Sequence, residues 1–293
     1  MRLVFTSDLH VEYHMDVVGL VAEQAARLQP EVLVLGGDVC PDLSRLEAAL
    51  RVIAGAFDGA LLFLPGNHEL WCGGSYGGGP DSRERYHTVI PALTRRAGAV
   101  PLGVEPFVLH GVGFVGVTGW YDYSFRDPSL VGVAADSEYA AKRFGDVVCV
   151  DGQQVYWPGT DGAALGDEAL CVAMCELLAD QLDRVAARVD RIVVVTHMLA
   201  HRAVLDRCDR SPDRGADERF LDAFMGSSRL GDLLADRAGV VRILSGHVHQ
   251  PVQVSVAGRG GSIPCDLSPV GYPRELQGSL EEHVFRRLLV LEV

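Results

Sequence analysis

Several features that would each announce a class of protein are missing from this 293-residue chain. Its seven cysteines (40, 72, 149, 171, 175, 208 and 265) are odd in number and include no Cys-x-x-Cys spacing. Neither a disulfide framework nor a thiolate zinc site is therefore indicated, and the cysteines read as small core residues in a reducing compartment. No uninterrupted apolar run approaches the roughly 20 residues of a membrane span, so no membrane partner is expected. The N-terminus, Met1-Arg2-Leu3-Val4-Phe5-Thr6-Ser7-Asp8, turns polar too early for the apolar core of a signal peptide. Basic residues are in short supply, 26 Lys+Arg against 39 Asp+Glu for a net charge of −13. A field of that sign repels a long polyanion, which disfavours long nucleic acid as the main partner. The glycine-rich stretch Cys72 to Pro80 lacks the lysine and the spacing of a phosphate-binding loop. It reads as a mobile connection at a pocket rim or as a plain surface loop. There is no internal repeat, low-complexity tract or interdomain linker. What these absences leave is a cytoplasmic protein of one decorated domain, 1–293, whose 48% hydrophobic content is ample for a sizeable core.

What the chain does have is one local pattern used five times: a short apolar strand, a small residue or turn, then a metal-competent side chain. Leu3-Val4-Phe5 leads to Asp8 and His10. Val32-Leu33-Val34-Leu35 leads through Gly36-Gly37 to Asp38, and Leu61-Leu62-Phe63-Leu64 through Pro65-Gly66 to Asn67 and His68. Ile192-Val193-Val194-Val195 leads to His197, and the run 240–244 leads through Ser245-Gly246 to His247 and His249. Between them lie helical stripes at 13–29, after Pro41-Asp42, at 82–97 and, most clearly, at 167–188. That alternation predicts an α/β protein with a parallel sheet whose loops gather at the carboxyl ends of the strands. Alternating Val252, Val254 and Val256, a Gly258 to Gly261 turn and a closing strand at 288–293 predict a second sheet packed on the first. Residues 120–166, rich in scattered aromatics, read as an insertion folded over the site or as a peripheral subdomain packed on the core.

In order, Asp8-x-His10, Gly37-Asp38, Gly66-Asn67-His68-Glu69, His197 and Gly246-His247-x-His249 resemble the five signature blocks of the calcineurin-like metallophosphoesterases. The resemblance spans positions 8 to 249. It implies a four-layer α/β/β/α fold, two packed β-sheets flanked by helices, with a dinuclear metal centre at one edge. Carried over by position, Asp8, His10 and His249 hold one metal ion, Asn67, His197 and His247 the other, and Asp38 bridges both. Two carboxylates, one amide and four imidazoles form an oxygen and nitrogen set suited to Mn, Fe, Zn or Co, divalent or trivalent.

The expected chemistry is hydrolysis of a phosphate ester on a small molecule, a metabolite or nucleotide. A metal-bridging hydroxide attacks in line, and His68 acts as general acid on the departing alkoxide. Asp38 and His68 are thus the catalytic candidates, and Glu69 reads as a solvated acidic neighbour, the alternative being that it orients part of this turn. Asn67, His201 and Tyr121 are candidate substrate contacts. His201 shares a face with His197 if a helix begins there, a solvent-facing residue being the alternative for it and for Tyr121. The alternatives in function are a phosphodiesterase or nuclease acting on cyclic nucleotides or nucleic acid, and a non-catalytic scaffold of the same fold. One departure is informative. Where the protein Ser/Thr phosphatase branch continues Gly-Asp-x-x-Asp-Arg, Asp38 is followed here by Val39-Cys40-Pro41-Asp42-Leu43, so the phosphate-clamping arginine of that branch has no counterpart.

Overall fold

A computed structural model describes residues 1–14, 16–208 and 213–293. Strands β1 (Arg2–Thr6), β2 (Val32–Leu35), β3 (Ala60–Phe63) and β4 (Val100–Pro101) run parallel in one sheet. Strands β5 (Phe107–Leu109), β6 (Val112–Val117), β7 (Arg143–Phe144), β8 (Val147–Val148), β9 (Arg191–Thr196), β10 (Val240–Ser245), β11 (Val252–Gly258), β12 (Gly261–Leu267) and β13 (Leu289–Glu292) complete the set. The first sheet has the order β13-β1-β2-β3-β4, with β13 antiparallel to β1; the second is β11-β12-β10-β9-β6-β5. Strands β7 and β8 form a separate hairpin.

The apolar runs are continuous rather than alternating because the central strands are buried on both faces. Leu3, Phe5, Val32, Val34, Leu62 and Leu64 pack against Phe114, Val193, Val195 and Leu244 in a core between the sheets. The intervening Val4, Leu33, Phe63, Val115 and Val194 belong to a second core that includes the helices. Two sheets with helices outside them is the predicted layering.

The helices follow their sequence signals with one exception. Helix Leu43–Ala54 starts where Asp42 accepts the amides of Ser44 and Arg45 at 3.0 and 2.9 Å, an N-cap. Asp167–Ala186 is the long helix, with Leu170, Cys171, Met174 and Leu178 buried on one side. The stretch 82–97, expected as one helix, is instead Ser82–Glu84, a wide π-helical turn Arg85–Val89, and Ile90–Arg96. Pro91 has no N–H to give the preceding turn, so the α register is interrupted there.

The 120–166 segment contributes the β7–β8 hairpin and short helices at Asp136–Ala141 and Asp151–Gln154. Its base converges on Asp167, which accepts from Trp120 Nε1 at 2.9 Å, Lys142 Nζ at 2.6 Å and the Tyr123 hydroxyl. Among the described residues no helix is long and apolar enough to cross a membrane.

Candidate metal centre

The loops that leave β1, β2, β3, β9 and β10 converge at one edge of the sheet pair. Asp8, His10, Asp38 and His247 all adopt left-handed backbone, with φ of 55°, 44°, 53° and 70°. Such conformations cost non-glycine residues free energy and persist only where the surroundings impose them. Here the surroundings are other ligand loops. The Asp8 amide donates to Gly37 O at 2.8 Å, the His10 amide to Asp38 O at 3.0 Å, and the His68 amide to Asp38 Oδ1 at 3.0 Å. Two glycines make the approach possible. A Cβ on Gly37 would lie 2.5 Å from His197 Nδ1, and one on Gly66 would lie 2.2 Å from Asp38 Oδ1.

The structure brings all seven expected ligands together. Donor atoms of Asp8, His10 and His249 lie within 4.8 Å of one another, as do those of Asp38, His197 and His247 and those of His10, Asp38 and His68. His197 Nε2 stands 3.0 Å from Asn67 Oδ1 and 3.3 Å from Asp38 Oδ2, which places the Asn67 amide in the second group. His10 Nε2 is 3.1 Å from His249 Nε2, and His249 Nε2 is 3.5 Å from Asp8 Oδ1. Asp8, His10 and His197 are fully buried, and Asp38 is 2% exposed.

At Asp38 and His247 the electrostatics suit a cation. Burial would raise the Asp38 carboxyl, but His197 and His68 hold it well below the usual carboxylate range. Burial, with His197 beside it, pushes His247 down to about 3, so its imidazole is neutral. His247 Nε2 is nevertheless buried without a hydrogen-bond partner. An orphaned neutral imidazole nitrogen beside an ionised carboxylate, in an oxygen and nitrogen set without thiolate, fits a transition-metal ion.

His68 lines the same cavity, its Nε2 3.7 Å from Asp38 Oδ2 and its ring stacked on Trp71 at 3.7 Å. Burial lowers its pKa, yet Asp38, Glu12, Asp151 and Glu69 more than offset this and leave it raised. The cavity, about 760 Å³, is bounded further by Val148, Asp151, Leu221, Phe224, Met225 and Arg274.

Several expectations shift. Glu69 is not solvated: it is fully buried and clamps two ligand loops, accepting the amides of Gly66, Asp38 and Cys40 at 2.7, 2.9 and 2.8 Å. Burial and the Asp38 carboxylate push it up to about 7. Tyr121 does not reach the cavity; it is fully buried, stacked on Trp120 at 4.8 Å with its edge toward Phe224. His201 does not share a helix face with His197, because the short helix begins at Arg202 and His201 itself is extended, its ring packed over Gly231. The glycine-rich loop is tethered at its start, where Cys72 and Gly73 both donate to Gln154 O, at 2.7 and 3.0 Å.

Three acidic residues were missed. Glu12 lies 3.5 Å from His10 Nδ1 and 3.9 Å from His68 Nδ1, and those histidines hold it down to about 2 against the effect of burial. Glu275 Oε2 lies 2.8 Å from His249 Nδ1. Asp151 accepts from Asn67, and Tyr272 packs 4.4 Å from His10 and 4.6 Å from His249. Of the three acids only Glu12, two residues after His10, had a sequence signal in its proximity.

Residues 1–251 match a family model described as calcineurin-like phosphoesterase. Among solved structures, TT1561 of Thermus thermophilus is similar at 11% identity and a TM-score of 0.51, over 99% of this chain and 97% of that one. A dimetal phosphatase from Danio rerio is similar at 15% identity and a TM-score of 0.47, over 91% of this chain and 86% of that one. A search of curated protein sequences returned no match.

Proposed function

Since the chain belongs to the calcineurin-like phosphoesterases, we propose that it hydrolyses a phosphate ester on a small molecule at a dinuclear metal centre. The observation that carries the reading is that Asp38 joins His197 and His247 in one donor cluster and His10 and His68 in another, while His10 also belongs to the cluster of Asp8 and His249, the atoms of each cluster lying within 4.8 Å of one another. Asp8, His10 and His249 complete one ion's ligands and Asn67, His197 and His247 the other's; Mn, Fe, Zn and Co all suit the set. When bound, such a pair of ions neutralises phosphate oxygens and lowers the pKa of water so that it can attack.

The rest falls to the chain. His68, on the cavity wall 3.7 Å from Asp38 Oδ2, supplies the proton that the departing alkoxide needs. Glu69 keeps the Asp38 and Asn67 loops in register through its three amide contacts. A cavity of about 760 Å³ with an apolar wall at Leu221, Phe224 and Met225 supports a small organic ester as substrate. The net charge of −13 does not favour a long nucleic acid.

The test is hydrolysis of nitrophenyl phosphate beside bis(nitrophenyl) phosphate by metal-stripped protein reloaded with Mn²⁺. Metal-dependent turnover that Asp38→Asn abolishes is the expected result, and preference for the second ester would move the enzyme to the diesterases. Absence of bound metal and of turnover with either ester would leave the scaffold reading in its place.

A further inference from the structure

The 120–166 segment holds the Asn67 side chain through Asp151. Asp151, the first residue of helix Asp151–Gln154, is 5% exposed, and a single oxygen of it accepts from Asn67 Nδ2 at 2.9 Å and from Trp71 Nε1 at 2.8 Å. We infer that Asp151 is a positioning residue that fixes which end of the Asn67 amide faces the metal centre and anchors the indole over His68. The inference rests on the dinuclear reading above.

Valence decides the orientation. A primary amide offers one oxygen and one NH₂ group, and their places can be exchanged by a half-turn about the terminal bond. With Nδ2 committed to a carboxylate, Oδ1 must face the other way, and it lies 3.0 Å from His197 Nε2, on the side of His247 and Asp38. An asparagine without that partner presents oxygen or NH₂ to the centre with little preference, and only the oxygen binds a cation. The same carboxylate oxygen holds Trp71, whose ring stacks on His68 at 3.7 Å with 26° between planes.

The support is itself braced. Cys72 and Gly73 donate to Gln154 O, and the Tyr156 amide donates to Ser82 Oγ at 2.9 Å. The fit leaves no room for a side chain at Gly73, where a Cβ would lie 2.3 Å from Gln153 O. A buried carboxylate costs free energy that an apolar residue of similar volume would not, unless its hydrogen bonds are needed.

The experiment titrates Mn²⁺ into metal-stripped wild-type protein and Asp151 variants, following affinity for each ion and the paramagnetic resonance spectrum. Wild type is expected to bind two ions with a coupled-pair spectrum. Asp151→Ala should weaken one ion by about 10–100-fold and leave the other within about twofold, with an isolated-ion spectrum. Asp151→Asn, which keeps a carbonyl acceptor, should restore most of the loss. Asp151→Leu, similar in volume but without an acceptor, should behave as Asp151→Ala, which separates lost orientation from a cavity. Unchanged affinities, or equal weakening of both ions, would overturn the inference. So would failure of both Ala and Leu variants to fold while the Asn variant folds, since that would make Asp151 a residue of the fold alone. Wild-type protein that holds no pair of ions would sink the dinuclear reading, and this inference with it, before any variant was compared.

Discussion

The two halves of the candidate ligand cluster are alike in their donors and unlike in what orients them. Around His10 and His249 the support comes from the turn after β12. The amides of Val270 and Gly271 donate to Ser7 O and Asp8 O, each at 2.9 Å, which seats Tyr272 against both histidine rings and Glu275 on His249. Around Asn67 and His197 the support comes from Gly36 O, 2.9 Å from His197 Nδ1, and from Asp151 on the 120–166 segment. The identity of the candidate ligands thus resides at the ends of the core strands, whereas their orientation is imposed by polar groups delivered from other parts of the chain. Such outer partners set imidazole tautomers and ring positions and tune affinity strongly. Glu275 lies beyond residue 251, where the family match ends.

Substitutions can break this comparison at different depths. The deepest is Asp38→Asn, which removes the donor common to both halves. Ion content should fall below one per chain by metal analysis, and phosphate-ester turnover should be lost. Next is His68→Asn, which spares both halves: two ions should remain, while kcat falls by roughly 10²–10⁴, the scale of a lost general acid. The loss should be larger for an alkyl phosphate than for nitrophenyl phosphate, whose leaving group needs no proton; an equal loss for both would argue against the proton-donor role.

Glu275→Ala is the counterpart of the Asp151 experiment. It should weaken the ion held by Asp8, His10 and His249 by about 10–100-fold and spare the other, as followed by Mn²⁺ titration. If both supports proved to act on the same ion, the division into halves would fail. The mildest change is Trp71→Phe, which keeps a ring over His68 but removes one hydrogen bond to Asp151. A loss of about 1 kcal/mol, roughly a fivefold fall in kcat, is expected with both ions still bound.

The fold was legible because its signals are local. Runs such as Val32 to Leu35 and Ile192 to Val195 are apolar at consecutive positions, as strands between two cores must be. The residues that follow them change abruptly to glycine, carboxylate, amide or imidazole. The supporting groups were not legible because nothing near them in sequence marks them. Asp151 and Glu275 are single acids among many, and each meets its partner 84 or 26 residues away. Glu69 was misread for a related reason. A carboxylate beside a turn is ordinarily solvated, and only three converging backbone amides make its burial tolerable. His201 failed in the opposite direction, since its spacing from His197 matters only if a helix connects them, and the chain there is extended.

Sequence alone determined the order of the strands' endings and the kind of atom each presents, because hydrophobic period and residue type are properties of short segments. Tertiary structure decided that one oxygen of Asp38, Oδ2, faces both His197 and His68, which end of the Asn67 amide points inward, and that Glu69 is buried while Tyr121 is withdrawn from the cavity. Those are matters of hydrogen-bond pairing between distant segments, and a donor acquires its partner only when the chain has folded to bring the two within about 3 Å.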